Sequence, residues 1–386
     1  MASSPNIAIM GAGIFVKTQY IPRLAEISNL IVLKAIWSRS EVNTEPQFLL
    51  RRFNCFIQSR ISYLCAFQES ARAAVEIARR HFPDVECKWG DKGLNEILND
   101  ESIIGAAVVL AGQTQVEMSL KLLKAGKHVL QEKPAAASAR EIEAALSGYK
   151  SICAKTPGQP IWAVAENYRF EPAFEEGKRL MAEVGEMINV QVIIEGSMNS
   201  TNPYFSSSWR RNFTGGFILD MGVHFIAGLR MLVGSEVATV SARTSHVDTI
   251  LPPPDNISAV FQLENGCSGV FAMVVSSRSP KVVWRVVGLT GTLQIQRGSE
   301  DGRHGYLVSF FGGDGQSKSS FHAFSGVTEE LKVFIRDITQ ASLKKECGYE
   351  AEPRLTFLEG ARDVALLDAM LESGRKKGAQ VEVKQF

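Results

Sequence analysis

The sequence predicts an α/β chain in two parts: a doubly wound parallel sheet, then an α+β domain whose sheet is mainly antiparallel. Three observations carry that expectation. Up to residue 165, short apolar runs alternate with helix-like segments. The first run ends in a glycine-rich turn, Gly11-Ala-Gly13. After Asn167 the texture changes to β-rich runs separated by hairpin-like turns. At 386 residues the chain exceeds the roughly 250–300 at which one core stops growing, so two domains are expected, 1–165 and 166–386.

In chain order, residues 6–10 read as a buried strand, 14–27 as an amphipathic helix and 31–37 as a second strand. Helix patterns follow at 69–82, 93–99, 116–125 and 138–151, with apolar strand-like runs at 104–110, 128–131 and 161–165. In the second part a helix at 172–184 precedes a strand at 188–195. Further β-rich runs lie at 237–247, 259–263, 269–275, 282–287, 293–296 and 306–311. Gly288-Leu-Thr-Gly291 and Glu264-Asn-Gly266 suit hairpin turns, and helices at 327–342 and 353–373 complete the chain.

Composition excludes several classes of function. With 42 basic against 41 acidic residues, neither nucleic acid nor an anionic membrane surface is expected as the main partner. No apolar run approaches the ~18 residues of a membrane span. Met1-Ala-Ser-Ser-Pro5 leads straight into the first strand, leaving no room for a signal peptide. The six cysteines are far apart without a Cys-x-x-Cys pair, so neither disulfides nor a zinc site is expected. A reducing compartment, the cytoplasm, follows.

Gly11-Ala12-Gly13-Ile14-Phe15-Val16 is a dinucleotide-binding (Rossmann) fingerprint in which Val16 replaces the third glycine. The first glycine permits the tight turn, and the second lets backbone amides approach a pyrophosphate at a helix N-terminus. After the second strand, an NAD site usually places an acidic residue for the ribose 2′-hydroxyl. This chain gives Trp37-Ser38-Arg39-Ser40. Ser38 and Arg39 suit the 2′-phosphate of NADP; the alternative is NAD, with Arg39 a solvated loop charge and Glu41 the acidic residue.

Hydride transfer at a carbonyl needs a proton donor or acceptor beside the nicotinamide. Gln131-Glu132-Lys133-Pro134 follows a strand at the carboxyl edge, where such sheets bind ligands. Proline there would fix the backbone so that the amine of Lys133 points inward. Otherwise Glu132 and Lys133 are solvated charges before a helix. A second constellation, Gly215-Gly216-Phe-Ile-Leu-Asp220-Met-Gly-Val-His224, opens a helix, and the spacing puts Asp220 and His224 on one face. The carboxylate would fix the histidine tautomer for proton relay. The alternative is an N-cap and a core histidine. With no third ligand nearby, a metal is not expected. Glu166-Asn-Tyr168-Arg169 and Trp209-Arg210-Arg211 place polar and aromatic groups at the domain junction, for substrate binding or for interdomain hydrogen bonds.

Taken together, these elements resemble the glucose–fructose oxidoreductase / inositol dehydrogenase / MocA family. The resemblance runs in order through Gly11-Ala-Gly13, Ala125-Gly-Lys-His-Val-Leu-Gln-Glu-Lys-Pro134 and Ala165-Glu-Asn-Tyr-Arg169. It continues through Gly215-Gly216…Asp220-Met-Gly-Val-His224 and the helix from Glu359 to Gly374. It implies a Rossmann domain, a large open antiparallel sheet whose outer face often builds a homodimer, and a small-molecule substrate. It also implies that Lys133 is the active-site lysine and that Asp220 and His224 belong to the proton-relay pocket. Two departures stand out. Leu110-Ala-Gly-Gln-Thr-Gln115 replaces the family's Thr-Pro-Asn-x-x-His, and Ala227 replaces an aspartate, which weakens a polyol such as inositol as the substrate. The expected activity is hydride transfer between a nicotinamide cofactor and a sugar-like or cyclic alcohol or carbonyl. The same family contains non-catalytic cofactor sensors and cofactor-retaining glycosidases as alternatives.

Residues 42–68 are an anomaly, because strand-to-helix loops in such units usually take about 2–6 residues. These 27 residues contain no glycine, lysine or aspartate and are rich in residues with thymine-rich codons. Val-Asn can be encoded GTAAAT and Phe-Gln TTTCAG, the boundary signals of an intron. The expectation is a retained, translated intron, irregular and peripheral, that disturbs the 2′-phosphate site. The alternative is a genuine insertion.

Overall fold

The computed structural model describes residues 4–39, 71–156, 158–344 and 349–386. Its first layer is a six-stranded parallel sheet: β1 (Asn6–Met10), β2 (Val32–Ser38), β3 (Glu86–Trp89), β4 (Ile103–Val108), β5 (His128–Glu132) and β6 (Trp162–Ala165). The strand order is β3-β2-β1-β4-β5-β6, the doubly wound order in which ligands lie beyond the carboxyl ends of the strands. The connecting helices are α1 (Ile21–Glu26), α2 (Ala71–Ala78), α3 (Gly90–Asn99), α4 (Gly112–Lys124) and α5 (Ala139–Cys153). Ser138 caps α5 by accepting from the Glu141 amide at 3.3 Å.

Two expectations change here. The helix read at 14–27 begins with a π-helical stretch, Val16–Tyr20, before α1, and this wider winding sits where Val16 stands in place of glycine. Strand β3 has no counterpart in the sequence reading: it is a short edge strand with exposed or half-buried side chains, so no apolar run marks it.

The second sheet has nine strands, ordered β14-β13-β12-β11-β7-β10-β9-β8-β15. They are β7 (Met187–Ser197), β8 (Val237–Ser245), β9 (Asn256–Leu263), β10 (Ser268–Val274), β11 (Ser276–Gly288), β12 (Gly291–Glu300), β13 (Arg303–Gly312), β14 (Ser317–Ala323) and β15 (Val381–Glu382). Every pairing is antiparallel except β10 with β7. Both anticipated hairpins are present, β9–β10 and β11–β12. The polar strand β14 was not legible.

The helices of this half are α6 (Pro172–Val184), α7 (Ser208–Arg211), α8 (Gly216–Val233), α9 (Gly326–Leu343) and α10 (Phe357–Arg375). Helix α8 corrects the expectation about apolar runs. Its 18 residues reach a mean hydropathy of 1.5, enough to span a membrane by composition. It is instead the central helix of the domain, 83% buried against the sheet and α10. Helix α9 packs back on the first sheet, where Leu331, Phe334, Ile335 and Ile338 join the core formed by Ile7, Ile9 and Ile36. A Cβ at Gly105 of β4 would strike the Ile338 side chain, so glycine makes room for that helix.

Segment 42–68 lies outside the described residues, as do Ser40, Glu41, Glu69 and Ser70 beside it; Arg39 and Ala71 are the nearest described residues on either side. The Ser38 hydroxyl at the end of β2 accepts from the Ala71 amide at the start of α2 at 3.1 Å. Joining Glu41 to Glu69 would leave five residues between Ser38 and Ala71, within the usual loop length of about 2–6. A chain lacking residues 42–68 is therefore expected to fold, with higher soluble yield and tighter NADPH binding by fluorescence titration. A deletion that binds NADPH more weakly, with transcripts uniformly encoding the segment, would show a functional insertion.

Candidate active site

The site begins where β1 ends. The Gly11 amide donates to the Trp37 carbonyl at 2.8 Å, and its φ of 135° is open only to glycine. A Cβ there would overlap the Val109 carbonyl, so the turn can pass between β2 and β4 only without a side chain. Gly11, Gly13, Ile14 and Phe15 line one end of a cavity of about 870 Å³, and Ser38 and Arg39 stand on its rim. The Ser38 oxygen is engaged with Ala71, whereas Arg39 is exposed. This glycine cradle, too close for a Cβ and continuous with a long cavity, fits a dinucleotide pyrophosphate.

The cavity crosses the carboxyl edge of β5 to helix α8. Glu132 is buried at the end of β5, where its carboxylate accepts the Tyr20 hydroxyl at 2.9 Å. Burial pushes its pKa up to about 7, against the opposing influence of Lys133. The Lys133 Nζ donates to the Asp220 carbonyl at 2.9 Å and to its Oδ1 at 3.1 Å. Arg210 Nε donates to the other oxygen, Oδ2, at 2.8 Å. Burial alone would raise Asp220, but the two cations outweigh it and hold the carboxyl at about 2.

Asp220 and His224 share a face of α8, as the spacing implied, but they are not partners. His224 Nδ1 lies 2.6 Å from Oε1 of Glu166, a fully buried residue that follows β6. Asp220 is already bridged by Lys133 and Arg210, and it is not an N-cap, because α8 starts at Gly216. Burial depresses the His224 pKa, partly offset by Glu166. Burial would raise Glu166, yet His224, Arg169 and Lys133 bring it below its ordinary value. An ionised Glu166 beside a neutral imidazole assigns the proton to Nδ1, with Glu166 accepting, and leaves Nε2 as the acceptor.

The remaining candidates divide. Tyr168, Trp209 and Arg210 line the cavity. The Tyr168 ring stacks on His224 with centroids 4.7 Å apart, and the Arg210 guanidinium sits 4.2 Å from the Trp209 ring centre. Arg169 does not reach the cavity. It is buried away from it, bound to Asp363 and to the Glu359 carbonyl, because in the 3₁₀ turn Asn167–Phe170 successive side chains point about 120° apart. Glu166 is the residue missed. Its position in Ala165-Glu-Asn-Tyr-Arg169 was visible, but its partner lies 58 positions away.

Parallel Rossmann layer, glycine cradle and strand-end lysine together define a nicotinamide-binding oxidoreductase fold. Residues 5–151 match the oxidoreductase family with an NAD-binding Rossmann fold, and residues 178–294 match the GFO/IDH/MocA C-terminal domain. The chain is 30% identical to dehydrogenase FPY6 of Fusarium mangiferae, over 98% of this chain and 99% of that protein. It is 29% identical to the scyllo-inositol 2-dehydrogenase (NADP(+)) IolW of Bacillus subtilis, over 45% of this chain and 47% of that one. The fold matches levoglucosan dehydrogenase in complex with NADH, with a TM-score of 0.73 at 19% identity and full coverage of both chains. The protein belongs to the Gfo/Idh/MocA oxidoreductase family.

Two substitutions test the site. Lys133→Ala should lower turnover by roughly 10²–10⁴-fold with cofactor affinity nearly intact; an active variant removes Lys133 from the chemistry. Glu166→Gln should lower kcat on the order of tenfold or more. It should also move the acid limb of the pH–rate profile to lower pH, because the anion that favours protonated His224 is gone. A drop in Tm with an unmoved acid limb would make the pair merely structural.

Proposed function

We propose that the protein is an NADP-linked dehydrogenase or reductase acting on a small sugar-like or cyclic alcohol or carbonyl. The observation that carries this reading is the convergence of Lys133, Asp220 and His224 on one cavity that starts at the Gly11 cradle. A nicotinamide cofactor bound along that cradle supplies the hydride donor or acceptor.

The residues divide the remaining work. Of the three donors of the Lys133 ammonium, two are engaged by Asp220, which leaves one for a substrate oxygen. Asp220 fixes where that donor points and balances its charge. His224, neutral and held by Glu166, presents Nε2 as the group that takes a proton from a hydroxyl or returns one to a carbonyl. Trp209 and Arg210, both half-buried, line the cavity beside Asp220 and would limit water at the reacting carbon once substrate is bound.

NADP over NAD is supported by the exposed Arg39 at the end of β2, with Ser38 beside it and no carboxylate ending that strand. The Bacillus relative, an NADP(+) scyllo-inositol 2-dehydrogenase, supports the same reading. Fluorescence titration should give tighter binding of NADPH than of NADH. Arg39→Asp should reverse the order. Equal affinities in the unmodified protein would refute the NADP assignment.

A further inference from the structure

We propose that the end of the cavity reached by Arg297 is a subsite for an anionic group of the substrate, a carboxylate or a phosphate. The proposal rests on the oxidoreductase reading above and adds the substrate class to it.

Strand β12 runs on to Glu300, which puts Arg297 on the same face as the buried Leu293 and Ile295. It stands beyond the helices that cover those two, so its side chain opens into the cavity. Tyr168 accepts a hydrogen bond from Nη2, and the Tyr306 hydroxyl also stands against the guanidinium. The rings of Tyr306 and Phe324 lie 5.9 and 5.6 Å from its central carbon. Among the described residues no carboxylate comes within ion-pair distance of Arg297. The other arginines around the domain junction differ: Arg169 pairs with Asp363, Arg210 with Asp220, Arg230 with Glu236 and Arg354 with Glu175. Glu171 contributes charge from farther off, but its oxygens are engaged by the Asn167 amide at 3.2 Å and the Ser325 amide at 3.1 Å.

A guanidinium offers five donors in a planar fork that matches a carboxylate or phosphate. Two phenol hydroxyls and two aromatic faces satisfy part of that fork and leave its charge to solvent on the cavity side. The direction is also set. Tyr168 stacks on His224 with its ring and touches Arg297 with its hydroxyl, so the anion would lie one phenol ring away from the proton-relay imidazole. Phe225 stands edge-on to Tyr168 with centroids 6.0 Å apart, and Met198 and Met221 also line the cavity. The fitting substrate carries its reacting hydroxyl or carbonyl at Lys133 and His224 and an acidic group at the opposite end of a compact body.

The test uses the full chain saturated with NADPH, following bound-cofactor fluorescence and thermal shift. The probes are glucuronate against glucose, 3-hydroxybenzoate against 3-hydroxybenzyl alcohol, and glucose 6-phosphate as the phosphate arm. The acidic member of at least one pair should bind tenfold or more tighter. Arg297→Gln should abolish that preference while NADPH affinity stays within twofold, and Arg297→Lys should retain part of it. Normal NADPH binding with no preference for acidic probes would overturn the subsite and leave the oxidoreductase reading standing. So would equal weakening of neutral and acidic probes in Arg297→Gln. Failure of the unmodified chain to bind NADPH would instead overturn the cofactor reading, and the subsite with it.

Discussion

The carboxylate of Asp220 is held between Lys133 from the end of β5 and Arg210 from the segment preceding α8. All three groups are buried or nearly so, and an uncompensated charge in that setting costs several kcal/mol. Lys133 therefore ties the Rossmann layer to Asp220 of the second domain, and Arg210 draws the loop carrying Trp209 into the same clamp. Chain entry into α8 is tuned to this geometry. Gly215 and Gly216 adopt φ of 77° and 54°, letting the backbone turn sharply enough for Asp220 to face Lys133 one helical turn before His224. Charge pairing, not apolar packing alone, aligns the two halves at the point where chemistry is expected.

Around this clamp the protein treats its carboxyl groups in opposite ways. Asp220 and Glu166 lie below their ordinary range because cations or an imidazole stand against them. Glu132 and Glu330 lie above it, pushed up by burial that Lys133 and Arg169 only partly offset, and one oxygen of Glu330 has no partner among the described residues. Environments that separate the pKa values of neighbouring acids are how one site holds fixed charge and exchangeable protons together. With Glu132 near 7, the charge at the cofactor end changes within the neutral range, while the clamp at the substrate end does not.

Most of the fold was legible because its signals are local. Strands β1, β4 and β6 are near-continuous apolar runs, as strands covered on both faces must be. Gly11 announced a backbone approach that a Cβ would block, and Lys133 followed a strand that could only end at the ligand edge. What stayed hidden depends on distant parts of the chain. Edge strands β3 and β14 are too polar to stand out. The spacing of Asp220 and His224 reported a shared helix face correctly but could not show that each takes its partner from another element. For Arg169, no local pattern distinguishes a side chain aimed at a substrate from one aimed at Asp363. Arg297 reads as one more surface charge in a strand until the sheet is assembled around it.

Helix α9 carries a consequence for the order in which the protein is made. Its apolar face completes the core of a sheet whose first strand begins more than three hundred positions earlier, and Thr328 ties the same helix to Glu26 at 2.7 Å. A ribosome that has released only the dinucleotide-binding portion has delivered a sheet with one face only partly covered, by α1 and α2, and with Ile7 lacking its cover from α9. Closing that face must wait until the second sheet has been synthesised and the chain has returned across the junction. The amino-terminal domain is thus encoded first and finished nearly last, and the nascent polypeptide carries an adhesive surface through most of its translation.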